Sequence, residues 1–433
     1  MLTEYIISKY NIVFDYRNKS YIYNSLLGSF AEIQDDVKYL LEANNVSALC
    51  QNSVFSDLLD GGFIIEKEND ESITLLNRLT EDRDSVDTLY LTIILTMNCN
   101  LRCIYCYQNN AETHRVSSRS VSSDFYKDLI SFIQRYKHLK RLEITWFGGE
   151  PLLEIAKIDC FSKALIDFCF NHDIEYGASI ITNGLLLNDA NIKILIDNKV
   201  TSMQLTLDGP KDVHDLRRVA LSKNLSCYDK IISFLKSKYA VEFDIALRIN
   251  IDKGNISNIE SFIKDLKPFY KNNMNIDFAE VENYNEFCNN ANEVFSTEEF
   301  SDIEIQLEKS LISLGMRKDP MSIYPKPTHS YCGATRKSSF MVMHNGDLFK
   351  CWCDLEDVKM KNGNIKGNKI TENFYTLDNP LVEGDCRECK ILPLCMGGCQ
   401  YKKHTSKMYC PTIKYNIIER LKLTLELFEN AAQ

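Results

Sequence analysis

The rhythm of apolar positions changes twice along this chain. Up to about residue 85 it is short and irregular. Strand-like pieces Tyr10–Tyr16 and Ser20–Tyr23 flank Arg17, Asn18 and Lys19, a hairpin turn signal. Ile33, Val37, Leu40 and Leu41 recur at helical spacing and predict a helix over Ala31–Ala43. A second helix is predicted over Ser47–Leu59, stopped by Gly61 and Gly62, and Phe63–Ile65 then reads as a short strand. A hairpin with short helices is winged-helix-like. Such a module presents a strand edge and a groove to an extended peptide, or else serves only as a packed cap.

From Thr88 the pattern becomes strand then helix, repeated. Predicted strands are Tyr90–Thr96, Arg141–Phe147, Ala178–Thr182, Ser202–Leu207, Asp244–Ile251 and Asn275–Val281. Between them lie amphipathic stretches at Asp124–Tyr136, Ile155–Asn171, Asp189–Asn198, Tyr228–Tyr239 and Asn255–Lys267. This alternation predicts a parallel sheet with crossover helices. Six units in about 190 residues predict a partial (β/α)6 TIM barrel rather than a closed eightfold one. Beyond about residue 284 the alternation stops. Thr297–Leu314 reads as one more helix, Pro320, Pro325 and Pro327 as a linker, and Tyr415–Phe428 as a closing helix. The expected α/β chain thus has three segments: 1–85, a small α+β winged-helix-like domain; 86–315, the partial barrel; and 316–433, a cysteine-rich domain.

Composition adds little until the cysteines are counted. The net charge of −10 argues against nucleic acid or an anionic membrane as partner. No apolar run approaches the roughly 20 residues of a membrane span, and Met1–Tyr5 has no signal-peptide pattern. The 16 cysteines cluster at short ligand spacings without an export signal, which predicts metal binding in a reducing, cytoplasmic setting.

In a parallel α/β sheet, chemistry gathers where strands end. Cys99, Cys103 and Cys106 follow the first predicted strand at C-x3-C-x2-C spacing. Such a triad is expected by chance only about 0.02 times in this composition. Three thiolates can hold three irons of a four-iron cubane and leave the fourth open, or they can belong to a structural zinc site that wants one more ligand. Gly148, Gly149, Glu150 and Pro151 follow the second strand, Asn183 and Gly184 the third, and Asp208-Gly209-Pro210 the fourth, with His214, Arg217 and Arg218 just beyond. The two glycines would let backbone approach a ligand, and Glu150 offers an anion to an ammonium group. Arg248 and Asn250 share one face of the fifth strand.

The triad with Tyr105 before its last cysteine, together with Gly148–Pro151, resembles radical S-adenosylmethionine enzymes. The resemblance covers residues 88 to 415. It implies that Cys99, Cys103 and Cys106 ligate a 4Fe–4S cluster whose open iron chelates S-adenosylmethionine. Tyr105 would then lie near adenine, and Gly149 and Glu150, within Gly148–Pro151, would meet the methionyl amine. Asn183, Thr206 and Arg218 would contact ribose and carboxylate. Cys332, Cys351, Cys386, Cys389, Cys395, Cys399 and Cys410 resemble the seven-cysteine SPASM extension, which holds two auxiliary 4Fe–4S clusters. By that pattern Cys386, Cys389, Cys395 and Cys410 hold one, and Cys332, Cys351 and Cys399 the other. The latter's fourth position is open or filled by Cys353 or Cys288. The implied chemistry is a 5′-deoxyadenosyl radical taking hydrogen from an unactivated carbon, with reduced flavodoxin or ferredoxin as electron donor. The implied substrate is a ribosomal precursor peptide, joined by a thioether or other side-chain cross-link. The alternatives are sulfatase maturation to formylglycine and, more remotely, a zinc-binding protein without catalysis. Sulfatase maturases use an Asp directly after the cysteine at the position of Cys351; here Trp352 follows, and Asp354 comes later.

Overall fold

The computed structural model describes residues 4–108, 121–122, 124–222, 224–283, 293–355, 357–382, 384–406 and 409–431. Two compact units are present, one of Met1–Asp84, Ser301–Arg336 and Leu377–Gln433, the other of Ser85–Phe300 and Lys337–Thr376.

The first unit begins with five strands: β1 (Tyr5–Ile7), β2 (Asn11–Tyr16), β3 (Lys19–Asn24), β4 (Ser29–Ile33) and β5 (Ile64–Glu66). β1 pairs antiparallel with β5, and β2-β3-β4 form an antiparallel sheet. Arg17 and Asn18 both have left-handed φ (48° and 61°), which makes the tight turn between β2 and β3. The predicted helix over Ala31–Ala43 starts later than expected. Ala31 and Phe30 pair with Ile22 and Tyr23 as part of β4, and the helix is Asp35–Glu42. Strand pairing overrides the helical spacing there, because Ile33 serves either period. The second predicted helix divides into Val46–Leu49 and Phe55–Asp60. A helix at Glu71–Asp84, not anticipated, precedes the barrel.

Alternation along β3 sends Ile22 to one side and Tyr21 and Tyr23 to the other. On the first side Ile22, Ile33, Val37, Leu49, Leu58 and Ile64 form a core. On the second, Ile12, Phe14, Tyr21 and Tyr23 pack against Ile391, Ile417 and Leu421 from the far end of the chain. The N-terminal strands therefore share a core with the cysteine-rich segment.

The second unit holds β6 (Thr88–Ile94), β7 (Leu101–Cys103), β8 (Arg141–Phe147), β9 (Glu175–Ile181), β10 (Val200–Thr206), β11 (Arg218–Ala220), β12 (Asp244–Ile251), β13 (Met274–Glu280), β14 (Ser339–Met343), β15 (Asp347–Phe349) and β16 (Gly363–Asn364). Six strands run parallel in the order β13-β12-β10-β9-β8-β6, and these are the six predicted strands of the partial barrel. Helices Phe125–Ile133, Ile155–Asn171, Asp189–Asp197, Cys227–Lys236 and Ile256–Leu266 make the crossovers between successive parallel strands. Beyond β6 the sheet continues with β14, parallel, and then β15 and β16, antiparallel. These three strands come from the cysteine-rich region, so residues 337–376 belong to the barrel unit. Gly346, at φ 85°, closes the turn between β14 and β15.

Candidate active site

β6 delivers the chain to the C-terminal rim of the sheet, and the next residues turn back as a loop. Leu101–Cys103 of that loop pairs antiparallel with Arg218–Ala220: Cys103 faces Arg218, Arg102 faces Val219, and Leu101 faces Ala220. Backbone bonds from Ile104 N–H to Arg217 O (2.9 Å) and from Leu221 N–H to Asn100 O (3.0 Å) extend the ribbon. The cysteine loop is thus clamped by the segment that follows β10. Nothing in the local sequence announces this pairing, because β7 and β11 have only three residues each.

A second clamp comes from β8. Gly149 N–H donates to Thr96 O at 3.1 Å and Glu150 N–H to Asn98 O at 2.9 Å. A Cβ on Gly148, whose φ is 133°, would stand 2.3 Å from Thr96 O; one on Gly149 would stand 2.3 Å from Asn98 O. The two glycines are required by close approach to the cysteine loop's own backbone.

Glu150 is fully buried. Its carboxylate accepts from Leu152 N–H (3.0 Å), the Thr182 hydroxyl (2.6 Å) and Asn183 N–H (2.8 Å). Burial pushes its carboxyl up, and these three donors oppose the shift. Glu150 thereby ties the loop after β8 to the loop after β9. Pro151 opens the short 3-10 turn Pro151–Glu154 and is buried beside it. Asn183 donates through Nδ2 to Asn100 Oδ1 (2.7 Å) and to Cys99 Sγ (3.7 Å), which joins the third strand end to the cysteine loop.

These elements enclose a cavity of about 230 Å³. Of the residues singled out in the sequence, Cys99, Cys103, Tyr105, Cys106, Gly148, Gly149, Asn183, Thr206 and Arg218 line it, whereas Glu150 and Pro151 lie behind the wall. Arg248 and Asn250 line it too, as their shared strand face predicts. Gln204, Glu280, Glu282, Phe147, Tyr107 and Trp352 complete much of the wall. Glu280 closes the last barrel strand and Glu282 lies two residues beyond it, and this period-two spacing is the sequence signal that places both on the cavity side.

Tyr105 is held by four charged or polar groups. Its hydroxyl donates to Asp208 and accepts from Arg218 Nη1 (2.7 Å) and Asn250 Nδ2 (3.2 Å). The Arg217 guanidinium stands 5.2 Å from the ring centre and makes a bidentate pair with Asp252, both bonds 2.8 Å. Asp208 in turn accepts from Asn250 N–H (3.1 Å), while its own N–H donates to His214 Nδ1 (3.1 Å). Burial, with Arg217 and Arg218 nearby, pushes His214 well below its ordinary pKa, so it is neutral.

The three thiols surround one cavity without closing on a single point. Among the described residues no group of three or more His, Cys, Asp or Glu side chains is arranged for one metal ion. Separated thiols suit a cubane, whose irons occupy different corners. Burial pushes Cys99 and Cys103 up to about 11, a penalty that a bound cation would reverse.

In the first unit, burial and the neighbouring thiols of Cys389, Cys386 and Cys410 push Cys395 up to about 11. Lys414 Nζ donates to Cys389 Sγ at 3.0 Å and Lys403 Nζ to Cys386 Sγ at 3.7 Å. Four thiols with two ammonium groups thus share one neighbourhood. Cys332 and Cys399 also belong to this unit, and Cys351 to the other. Cys353 lies beside Cys351, its N–H donating to Cys351 Sγ at 3.5 Å. Cys288 falls outside the described residues.

Comparison with known proteins agrees with this geometry. Residues 93–239 match the model of the Radical SAM superfamily. The cysteine-type anaerobic sulfatase-maturating enzyme of Clostridium perfringens is 26% identical over 332 residues, 70% of this chain and 86% of that protein. The structure of native anSMEcpe with bound AdoMet and the Kp18Cys peptide superposes with a TM-score of 0.61 at 19% identity, covering 78% of this chain and 99% of that one. Streptococcus suis SuiB bound to S-adenosylmethionine superposes with a TM-score of 0.53 at 16% identity, covering 93% of this chain and 97% of that one. SuiB bound to the precursor peptide SuiA gives a TM-score of 0.50 at 15% identity.

Proposed function

We propose that this chain, a radical S-adenosylmethionine enzyme of the SPASM type, modifies a ribosomally made precursor peptide by joining two of its side chains. Cys99, Cys103 and Cys106 would hold the 4Fe–4S cluster that binds the cofactor. When bound, the cluster and S-adenosylmethionine supply a 5′-deoxyadenosyl radical able to take hydrogen from an unactivated carbon. The protein's part is to hold, orient and shield. Gly148, Gly149, Asn183, Thr206 and Arg218 line the same cavity as the thiols and would hold the cofactor. Tyr105, pinned by Asp208, Arg218 and Asn250, gives that cavity a rigid aromatic wall. Leu101, Phe147, Ile181 and Val281 add apolar side chains to its lining, which would help to keep water from the reacting groups. Arg248, Glu280 and Glu282 offer both signs of charge to a polar substrate segment.

Cys386, Cys389, Cys395 and Cys410 would hold one auxiliary 4Fe–4S cluster. By the SPASM pattern Cys332, Cys351 and Cys399 would be assigned to the other, its fourth position open or filled by Cys353 or Cys288.

The observation that carries the peptide reading is the N-terminal module. It bears a groove of about 380 Å³ whose lining combines apolar Leu27, Ile65 and Ile73 with acidic Glu68, Asp70 and Glu71. A groove that offers both apolar and charged contacts suits an extended leader segment. SuiB aligns over 93% of the chain, this module included, where anSMEcpe aligns over 78%. The second reading, formylglycine formation on a sulfatase, is favoured by the sequence relatives.

The test is anaerobic reconstitution and mass spectrometry with two substrates: the short peptide encoded beside the gene, and a cysteine-containing sulfatase peptide. Loss of two hydrogens with sulfur retained in the first peptide supports the reading. That loss should weaken in Leu27→Glu and Ile73→Glu, while cofactor cleavage without peptide is unchanged. Loss of sulfur from the sulfatase peptide, with the first peptide untouched, overturns it.

A further inference from the structure

The four thiols of Cys386, Cys389, Cys395 and Cys410 draw positive charge from residues outside their own spacing pattern. Lys414 Nζ donates to Cys389 Sγ at 3.0 Å, and Lys403 Nζ to Cys386 Sγ at 3.7 Å. Cys389 Sγ also accepts from Ile391 N–H at 3.4 Å. Cys410 and Cys395 are near enough for their charge to act on the Lys414 ammonium as well. Cys386 and Cys389 lie against a buried apolar group made of Tyr10, Leu26, Leu75, Leu79, Leu392 and Met396. That wall lowers the local dielectric on one side, which strengthens an ammonium–sulfur contact. The acidic neighbours Asp385 and Glu388 are exposed, and Glu388 pairs with Arg387 at 3.7 Å.

Lys414 stands where a helix disfavours a cation. It lies in the first turn of Ile413–Ala431, a turn that holds no acidic residue. Aligned peptide dipoles make that end of a helix positive, so a lysine there needs a negative partner. The partner it has is the sulfur of Cys389, 25 residues away in the chain. A neutral thiol is a weak acceptor, whereas a thiolate makes a charge-assisted bond. Four thiolates around an iron–sulfur core are anionic together with it, and reduction adds one more negative charge. Net charge and hydrogen bonds to the sulfurs are among the levers that set such a potential. A fixed cation bonded to a ligand sulfur stabilises the reduced state more than the oxidised one.

We propose that Lys414, seconded by Lys403, is a redox-tuning residue of the site formed by Cys386, Cys389, Cys395 and Cys410, and holds its reduction potential above that of the same thiols without the two ammonium groups. This rests on the reading of those thiols as ligands of a 4Fe–4S cluster. Reduction of such a site adds one electron and neither forms nor breaks a bond. The lysines act through the ligand sulfurs and not on the substrate.

The experiment is a mediated dithionite titration of the full-length, anaerobically reconstituted protein, followed by low-temperature EPR, with iron counted per chain. The component concerned is the one lost in Cys386→Ala/Cys395→Ala. Lys414→Gln removes the charge at that component. Its reduced-to-oxidised ratio at a fixed potential should fall about tenfold, equivalent to about 59 mV for one electron. Lys414→Arg keeps the charge and should titrate as the wild type does. Lys414 is exposed, so the gap between wild type and Lys414→Gln should narrow at high ionic strength. Iron content should be the same in all three proteins. A merely structural lysine would lower the iron content and leave the midpoint of the remaining clusters in place, and that result overturns the tuning role. So does a wild-type midpoint in both Lys414→Gln and Lys403→Gln/Lys414→Gln at full iron content. A Cys386→Ala/Cys395→Ala protein that keeps the wild-type iron and EPR spectrum overturns the cluster reading of these thiols, and the tuning with it.

Discussion

His214 shows how one buried side chain sets a condition on the whole site. It is fully buried, its Nδ1 accepts from the Asp208 backbone, and Arg217 and Arg218 disfavour its charged form. Its folded pKa lies well below the ordinary 6.5. Below that value the unfolded chain takes up a proton that the folded chain refuses. Stability contributed by neutral His214 is therefore complete above pH 6.5 and is lost as the pH falls beneath it. The slope approaches about 1.4 kcal/mol per pH unit. His214→Asn keeps an acceptor near Nδ1 and removes the titration. Urea unfolding between pH 8 and pH 5 should show the variant flatter by one proton; identical slopes would mean that His214 titrates normally in the fold.

At the scale of elements, the site is a set of ties between loops that the sequence leaves far apart. The Arg217–Asp252 pair joins the end of one helix to the loop after β12, with side chains only 7% and 2% exposed. It holds the residue before Arg218, and so the start of the ribbon that clamps the cysteine loop. Removing one partner leaves a buried charge unpaired, which costs about 3–5 kcal/mol. Asp252→Ala should lower the unfolding free energy by that amount. The double change Arg217→Met with Asp252→Leu should recover most of the loss, because no charge is then stranded. If the double variant is as unstable as the single one, packing rather than charge holds this corner. The six barrel strands were legible because each repeats one local pattern, an apolar run followed by an amphipathic helix. β7, β11 and β16 were not, since strands of two or three residues carry no period and exist only through their partners.

At the scale of the molecule, the N-terminal segment is not a detachable module. Tyr10, Ile12, Tyr21, Tyr23 and Leu75 pack with Ile391, Leu392, Met396, Ile417 and Leu421. Each such side chain contributes roughly 1.5–3 kcal/mol by burial, and five together rival the 5–15 kcal/mol stability of a typical domain. A chain ending at residue 376 should therefore lose order in residues 4–84, read as rapid trypsin cleavage there, while the barrel unit stays resistant. Unchanged protection of residues 4–84 would show that the hairpin and its helices stand alone. For the same reason, removing residues 1–84 to test peptide binding would uncover the cysteine-rich segment, and point changes in the groove are the cleaner probe.

The sequence by itself determined the alternating order of the barrel, the strand ends on which Cys99–Cys106, Gly148–Pro151, Asn183 and Arg218 fall, and the kind of chemistry three closely spaced thiols can serve. These follow from periods of 2 and 3.6 and from spacing along one chain, which are local properties. Only the tertiary structure decided the rest. It turned Gly148 and Gly149 toward the cysteine loop and spent the Glu150 carboxylate on loop ties. It also gathered Asp208, Asn250 and Arg218 on the Tyr105 hydroxyl, and packed the first strands against the last helix. Each of these depends on groups tens to hundreds of residues apart, which meet only when apolar faces are buried and buried polar groups have found partners.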